Sequence, residues 1–315
     1  MTKRIFLFLL PIVLCLFSAI TQFETSVAKD GELKARDVVN EHLKSIGKPE
    51  ILAGINSRGI SGSALVNFIQ GGTGKMSGQA MLVSEGRRLG IVMQYGTKDY
   101  PGEYFAFDGK DVTVGNISAG QRSPLADFLY RYNTLIKEGL VGGALSLGWP
   151  LLDVEKNKTE LKYNGKNKVG GQELHELEYR GSGKLNNVSV KLYFDPATFR
   201  HVRTDYRIRV RGEMSLQADA VVRQSGLPTS ESLTGGGGVR AGSIQDAVPD
   251  SIYVLTEKFD DFKQVDGLTL PHSYVMEYSI AGQGSSFVAN WTIIAGQWMH
   301  NGKIDASFFR APDFR

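Results

Sequence analysis

The stretch from Val202 to Arg211 constrains the fold more than any other. Val202, Thr204, Tyr206, Ile208 and Val210 take one set of alternate positions; Arg203, Asp205, Arg207, Arg209 and Arg211 take the other. Successive side chains of a strand point to opposite faces, so this pattern demands a strand of an antiparallel sheet with one face wet. The same period recurs upstream. Val188, Val190, Leu192 and Phe194 alternate up to a turn at Asp195-Pro196-Ala197-Thr198. Leu89, Ile91, Met93 and Tyr95 share a face opposite Arg88, Gly90 and Gln94. Glycines at Gly71-Gly72, Gly74, Gly86, Gly96 and Gly109 mark hairpin turns, so 57–116 reads as a meander. Further strands are expected near 214–222, 251–259, 273–280 and 286–294.

Two helices interrupt this pattern. Ala35, Val39, Leu43 and Ile46 recur at helical spacing, with Glu32 in the first turn and Gly47 and Pro49 as stops, which predicts a helix over 32–46. Ser123 is suited to cap a second helix and Pro124 to begin it. Leu125, Phe128, Leu129, Tyr132, Leu135 and Ile136 then give one wide apolar face through about residue 140, which must lie against something apolar. The fold class expected is mainly β, of α+β type.

Residues 1–28 read as a signal peptide. Lys3 and Arg4 precede an apolar run from Ile5 to Ile20, and Ser26-Val27-Ala28 ends in a small-residue cleavage site. An uncleaved anchor is the other reading of that run. Cys15 lies inside it behind Leu14, where lipidation requires a small residue, so it reads as part of the leader. Cleavage would remove that cysteine, the only one, and with it disulfides, thiolate metal sites and a cysteine nucleophile. Residues 29–315 are expected to form one domain in the periplasm. A loop rich in Gly, Ser and Thr at 225–247 has too few apolar residues to pack. Without Lys3, Arg4 and Glu24, the 36 basic and 33 acidic residues become 34 and 32, a balance that offers nucleic acid nothing. No oligomeric state is specified.

Catalytic patterns are missing. Gly71–Ser77 (GGTGKMS) resembles a phosphate loop, but Ile69 stands where its first glycine belongs and Met76 where its Ser or Thr belongs. The five histidines have no metal spacing, and no nucleophile elbow is present. His175 with Glu176, and His201 with Asp205, fall on predicted strands among residues expected to be exposed. The chain therefore reads as a non-enzyme without metal or cofactor.

Two features remain. Arg203, Arg207 and Arg209 form either a solubilising face or a docking surface for an acidic partner or anionic lipid head groups. Ala64, Val66, Phe68, Met81, Leu89, Met93, Phe105, Phe107, Met276 and Trp291 form either a core or, in part, the lining of an apolar cavity. For the cavity the lining set is Leu89, Met93, Phe105, Phe107, Phe128, Tyr132 and Met276, with the helix at 124–140 as lid. Methionine and aromatic side chains suit a lining that repacks around a variable ligand.

The order leader, helix, meander, inserted helices and returning strands resembles the outer-membrane lipoprotein-sorting (LolA/LolB-like) carriers. Three stretches carry the resemblance: 190–198 (VKLYFDPAT), 259–278 (FDDFKQVDGLTLPHSYVMEY) and 301–309 (NGKIDASFF). It implies an unclosed β-barrel, a strongly curved antiparallel sheet with a few helices on its concave face, binding lipid or lipoprotein acyl chains without catalysis. The RseB-like regulators of similar fold imply an alternative, an envelope sensor docking an inner- or outer-membrane protein through the basic face. An envelope hydrolase would need an activated nucleophile that the sequence does not offer.

Overall fold

A computed structural model describes residues 33–311, apart from residues 73, 119, 182–184, 186, 211–250, 283 and 284. The leader, the expected strand at 214–222 and the loop at 225–247 fall outside the described residues.

Among the described residues, twelve strands form one antiparallel sheet in the order β5-β4-β3-β2-β1-β12-β11-β10-β9-β8-β7-β6. The meander supplies β1 (Ser57–Gln70), β2 (Gly74–Glu85), β3 (Arg88–Gln94), β4 (Gly102–Phe107) and β5 (Val112–Val114). The returning half supplies β6 (Leu161–Val169), β7 (Gln172–Tyr179), β8 (Val188–Phe194), β9 (His201–Val210), β10 (Ser251–Val265), β11 (Leu268–Gly282) and β12 (Ser285–His300). The halves join through β1 and β12, from Arg58 opposite His300 to Gln70 opposite Val288. The end strands β5 and β6 do not pair, so the sheet is a curved, unclosed barrel. Curvature has local causes. Register shifts at Ser61/Gly62 and Phe68/Gln70 add twist to β1, as bulges do. At Gly62 the backbones come so close that a Cβ would lie 1.9 Å from the Ile294 carbonyl oxygen.

The inner face follows the alternation. Ile60, Ala64 and Val66 on β1, Leu89, Ile91 and Met93 on β3, and Leu255 and Phe259 on β10 are all buried. Met81, expected in the core, lies out of phase and is only half-buried, because Ala80, Leu82 and Ser84 are the inward residues of β2.

The first helix, α1 (Ala35–Ile46), begins three residues later than expected; Asp37 supplies the acid of its first turn and accepts from the Lys34 N–H at 2.9 Å. It packs on β6 and β11 and is followed by α2 (Pro49–Gly54). The second predicted helix is two pieces. α3 (Pro124–Arg131) starts as expected, with the Ala126 N–H donating to Ser123 Oγ at 2.9 Å, but ends at Tyr132. A separate turn, α4 (Thr134–Lys137), follows, and residues 138–153 then run as irregular chain and 3-10 turns. The C-terminal 3-10 turn Ala306–Phe309 lies on the opposite face of the sheet, its Phe308 carbonyl against Gly90. Among the described residues no helix is long and apolar enough to cross a membrane.

A methyl group at residue 62 can be accommodated only by parting β1 from β12. Gly62→Ala is therefore expected to cost ~2 kcal/mol or more, read as a lower urea midpoint with an unchanged slope.

Candidate functional site

The site follows from one problem. Residues 138–149 cover the inner face of the sheet as irregular chain and tight turns, so several of their buried N–H and C=O groups lack the partners that a helix or ladder supplies. The strands below provide polar side chains instead. Arg58 Nη1 donates to the carbonyls of Ala144 at 2.6 Å and Leu145 at 3.2 Å. Glu257 accepts from the Gly142 N–H at 2.8 Å, and Tyr206 Oη lies 3.0 Å from the Leu140 carbonyl. The Leu147 N–H donates to Ser84 Oγ at 2.9 Å. At the exposed margin, Arg87 donates to the Lys137 carbonyl at 2.7 Å and Tyr179 Oη to Glu138 at 3.2 Å.

Two of these anchoring groups, Arg58 and Glu257, occupy inward strand positions where an apolar residue belongs. Arg58 is 1% exposed and in phase with Ile60. Its Nε donates to His300 Nε2 at 3.1 Å, and His300 Nδ1 meets Asp266 at 2.8 Å. Burial lowers the guanidinium to about 10. Glu257 is fully buried in phase with Leu255 and Phe259, and also accepts from Tyr274. Tyr206 Oη lies 2.6 Å from Glu257 as well as near Leu140. One hydroxyl proton cannot serve both acceptors. A protonated Glu257 donating to Tyr206, which donates onward to Leu140, satisfies every group, and burial does push this carboxyl upward.

Glu103, in phase with Phe105 and Phe107, plays the same part for α3. It accepts from Tyr100, which itself accepts from Trp291 Nε1 at 2.6 Å, and it bonds the side chain of Ser123, the α3 cap. Burial raises it to about 7, against the pull of those two hydroxyls.

The predicted lining falls into place around these anchors. Leu89 and Met93 on β3, Phe105 and Phe107 on β4, Met276 on β11 and Phe128 on α3 are each no more than 3% exposed. Leu89 pairs with Phe107 across β3–β4, while Met276 stands beside Trp291 on β11–β12. Phe128 packs on Tyr278, with ring centroids 5.1 Å apart, and half-buried Tyr132 packs on Phe128. These side chains are packed in the interior. An open cavity of about 470 Å³ lies instead at the mouth, between α1, α2 and the irregular segment. Leu43, Leu52, Ala144, Leu147 and Leu152 line it, with Arg58 in its wall.

The arginines stand on the outer face of β9. Arg203 is tied to Asp205 at 2.7 and 3.1 Å, whereas Arg207 and Arg209 are exposed.

The histidines differ from expectation. His175, Glu176 and His201 are buried, not exposed. His201 bonds Thr204 at 2.8 Å rather than Asp205. With His42 it packs on Trp149, at centroid distances of 4.8 and 5.1 Å. Burial lowers His42 to about 4. His300 and Asp266 do form a histidine–carboxylate pair, but the other imidazole nitrogen accepts from Arg58 and is not available as a base. No group of three metal-ligating side chains occurs among the described residues.

No family model matches the sequence, and no curated protein matches it. Similar solved structures include a LolA superfamily protein from Nitrosomonas europaea, 11% identical, covering 88% of this chain and 97% of that one with a TM-score of 0.43. A putative outer membrane lipoprotein-sorting protein domain from Vibrio parahaemolyticus is 9% identical, covering 86% and 94% with a TM-score of 0.34. A chain of the Pseudomonas aeruginosa MucA/MucB complex is 11% identical, covering 82% and 94% with a TM-score of 0.21. The fold itself is defined by the strand order and register of this chain.

The buried acid and base act in opposite senses on stability. Glu103, raised in the fold, contributes fully below pH 4.5, and the contribution is lost as pH rises to about 7. His42, depressed in the fold, contributes fully above pH 6.5, and its contribution is lost as pH falls to about 4. Glu103→Gln is expected to abolish the first loss, so urea midpoints of variant and native protein should diverge as pH rises from 4.5 to 7. A pH-independent difference would contradict this account.

Proposed function

We propose that this protein is a non-catalytic periplasmic carrier of acyl chains, borne by lipoproteins or other lipids, that works after loss of residues 1–28. One observation carries the reading. The apolar inner face of an open sheet is covered by α3, α4 and residues 138–153, and the anchors of that cover are individual polar side chains rather than a continuous ladder. Moving the cover would expose Leu89, Met93, Phe105, Phe107 and Met276, while Phe128 and Tyr132 would travel with it. Each acyl CH₂ placed on that surface would gain roughly 0.8 kcal/mol. The lipoprotein-sorting domain among the similar structures supports the reading by its name.

Exposed Arg207 and Arg209 favour the second reading, an envelope sensor that docks a membrane protein on its outer face, as the MucA/MucB pair forms a complex. Arg203, on the same face, is held by Asp205.

Protein purified without detergent is expected to displace or take up a fluorescent fatty acid. Arg58→Leu removes two bonds to the cover and is expected to speed amide hydrogen exchange across 140–149 while leaving β2–β4 protected. No fatty-acid uptake, and no co-purifying lipid by mass spectrometry, would refute the carrier.

A further inference from the structure

The mouth cavity holds a feature that an acyl-chain site alone does not require. Its wall carries a guanidinium that is 1% exposed and has only neutral partners: two backbone carbonyls and an imidazole nitrogen. The nearest linked acid, Asp266, is one imidazole ring away. No carboxylate of the described residues pairs with Arg58 directly. A buried charge without a counter-ion is costly, and a guanidinium fork fits a carboxylate or phosphate in bidentate fashion. Around it the lining is mainly apolar, with Asn40 and Lys44 as its other polar side chains, and at about 470 Å³ the cavity lies in the size range of small-ligand sites, about 300–1,000 Å³. Lys44 stands on the rim, paired with Glu41 at 2.7 Å.

We infer that the mouth cavity takes the anionic head of an amphiphile, a carboxylate or phosphate ester, on Arg58, with its chain along Leu43, Leu52, Leu147 and Leu152. This rests on the carrier reading and names the class of lipid that the site selects. It also links recognition to access. A carboxylate or phosphate brings opposite charge and can take the guanidinium fork in bidentate fashion, which a neutral carbonyl cannot, so an arriving anion competes for it with the carbonyls of Ala144 and Leu145. Once they are displaced, the cover loses its anchor at the mouth, and the chain gains a route to the inner face. An anionic lipid would thus loosen the segment that excludes it; a neutral lipid of equal length would not.

Isothermal titration of the protein lacking residues 1–28 tests this with dodecanoate, dodecyl phosphate, glycerol monolaurate, and acetate or inorganic phosphate alone. The two anionic amphiphiles are expected to bind at least tenfold more tightly than monolaurate, and the short anions not measurably. Arg58→Gln should erase the preference, and Arg58→Lys should retain part of it. Equal binding of anionic and neutral amphiphiles, or a preference that survives Arg58→Gln, overturns the head-group inference and leaves the carrier standing. Acetate or phosphate binding as tightly as the amphiphiles makes this a simple anion site and also overturns it. No binding of any amphiphile sinks the carrier reading and this inference together. Should Arg58→Gln not fold, the Arg58 Nε–H resonance of the native protein decides: it is expected to shift with dodecanoate and not with monolaurate, and the converse overturns the assignment.

Discussion

The interior of this protein is governed by the need of buried backbone groups for partners. An open sheet could be covered by helices, which satisfy their own N–H and C=O groups. Here α1, α3 and α4 do so, while residues 138–153 cross the mouth in irregular form. The need of those polar groups of the crossing that find no backbone partner must be met from below. Arg58, Ser84, Tyr206 and Glu257, on four different strands, meet it, and Glu103 does the same for the α3 cap. Leaving a buried group unmet costs ~1–3 kcal/mol, so these discrete bonds complete a cover that also buries Leu140, Val141, Leu145, Trp149 and Leu151.

Much of the fold was legible in the chain. Alternation on β8 and β9, glycine punctuation of the meander and the Ser123-Pro124 start of α3 all correspond to local geometry, and the structure follows them. The division between α3 and α4 was not legible. Leu135 and Ile136 bury on the same side as Phe128 and Leu129, so the apolar period runs through the break at Tyr132 without a sign of it. Met81 misled for a related reason: an apolar residue can stand in the outward phase, and only the phase of Ala80 and Leu82 excludes it.

The functional residues carried a signal of another kind. Arg58, Glu103 and Glu257 sit in the inward phase of strands whose other inward residues are apolar, at places where a charge is out of keeping. A conflict between residue type and local pattern marks a position where something other than packing decides. The seven lining residues named from the sequence were legible as buried side chains. Their burial follows from α3 and residues 138–153 lying over the inner face of the sheet, a long-range arrangement that no local period encodes.

The junction of β1 with β12 has a consequence for how the protein comes into being. Arg58 and His300 touch, yet 242 residues separate them. Chains are made from the N-terminus at roughly 5–20 residues per second, so β1 waits on the order of tens of seconds for its second neighbour. Until then half of the sheet has a long unpaired margin at what becomes its centre, the kind of edge that invites aggregation. Closure of the centre is thus the last act of assembly, and the nascent chain needs either shelter or quick passage to a place where its final strand can arrive.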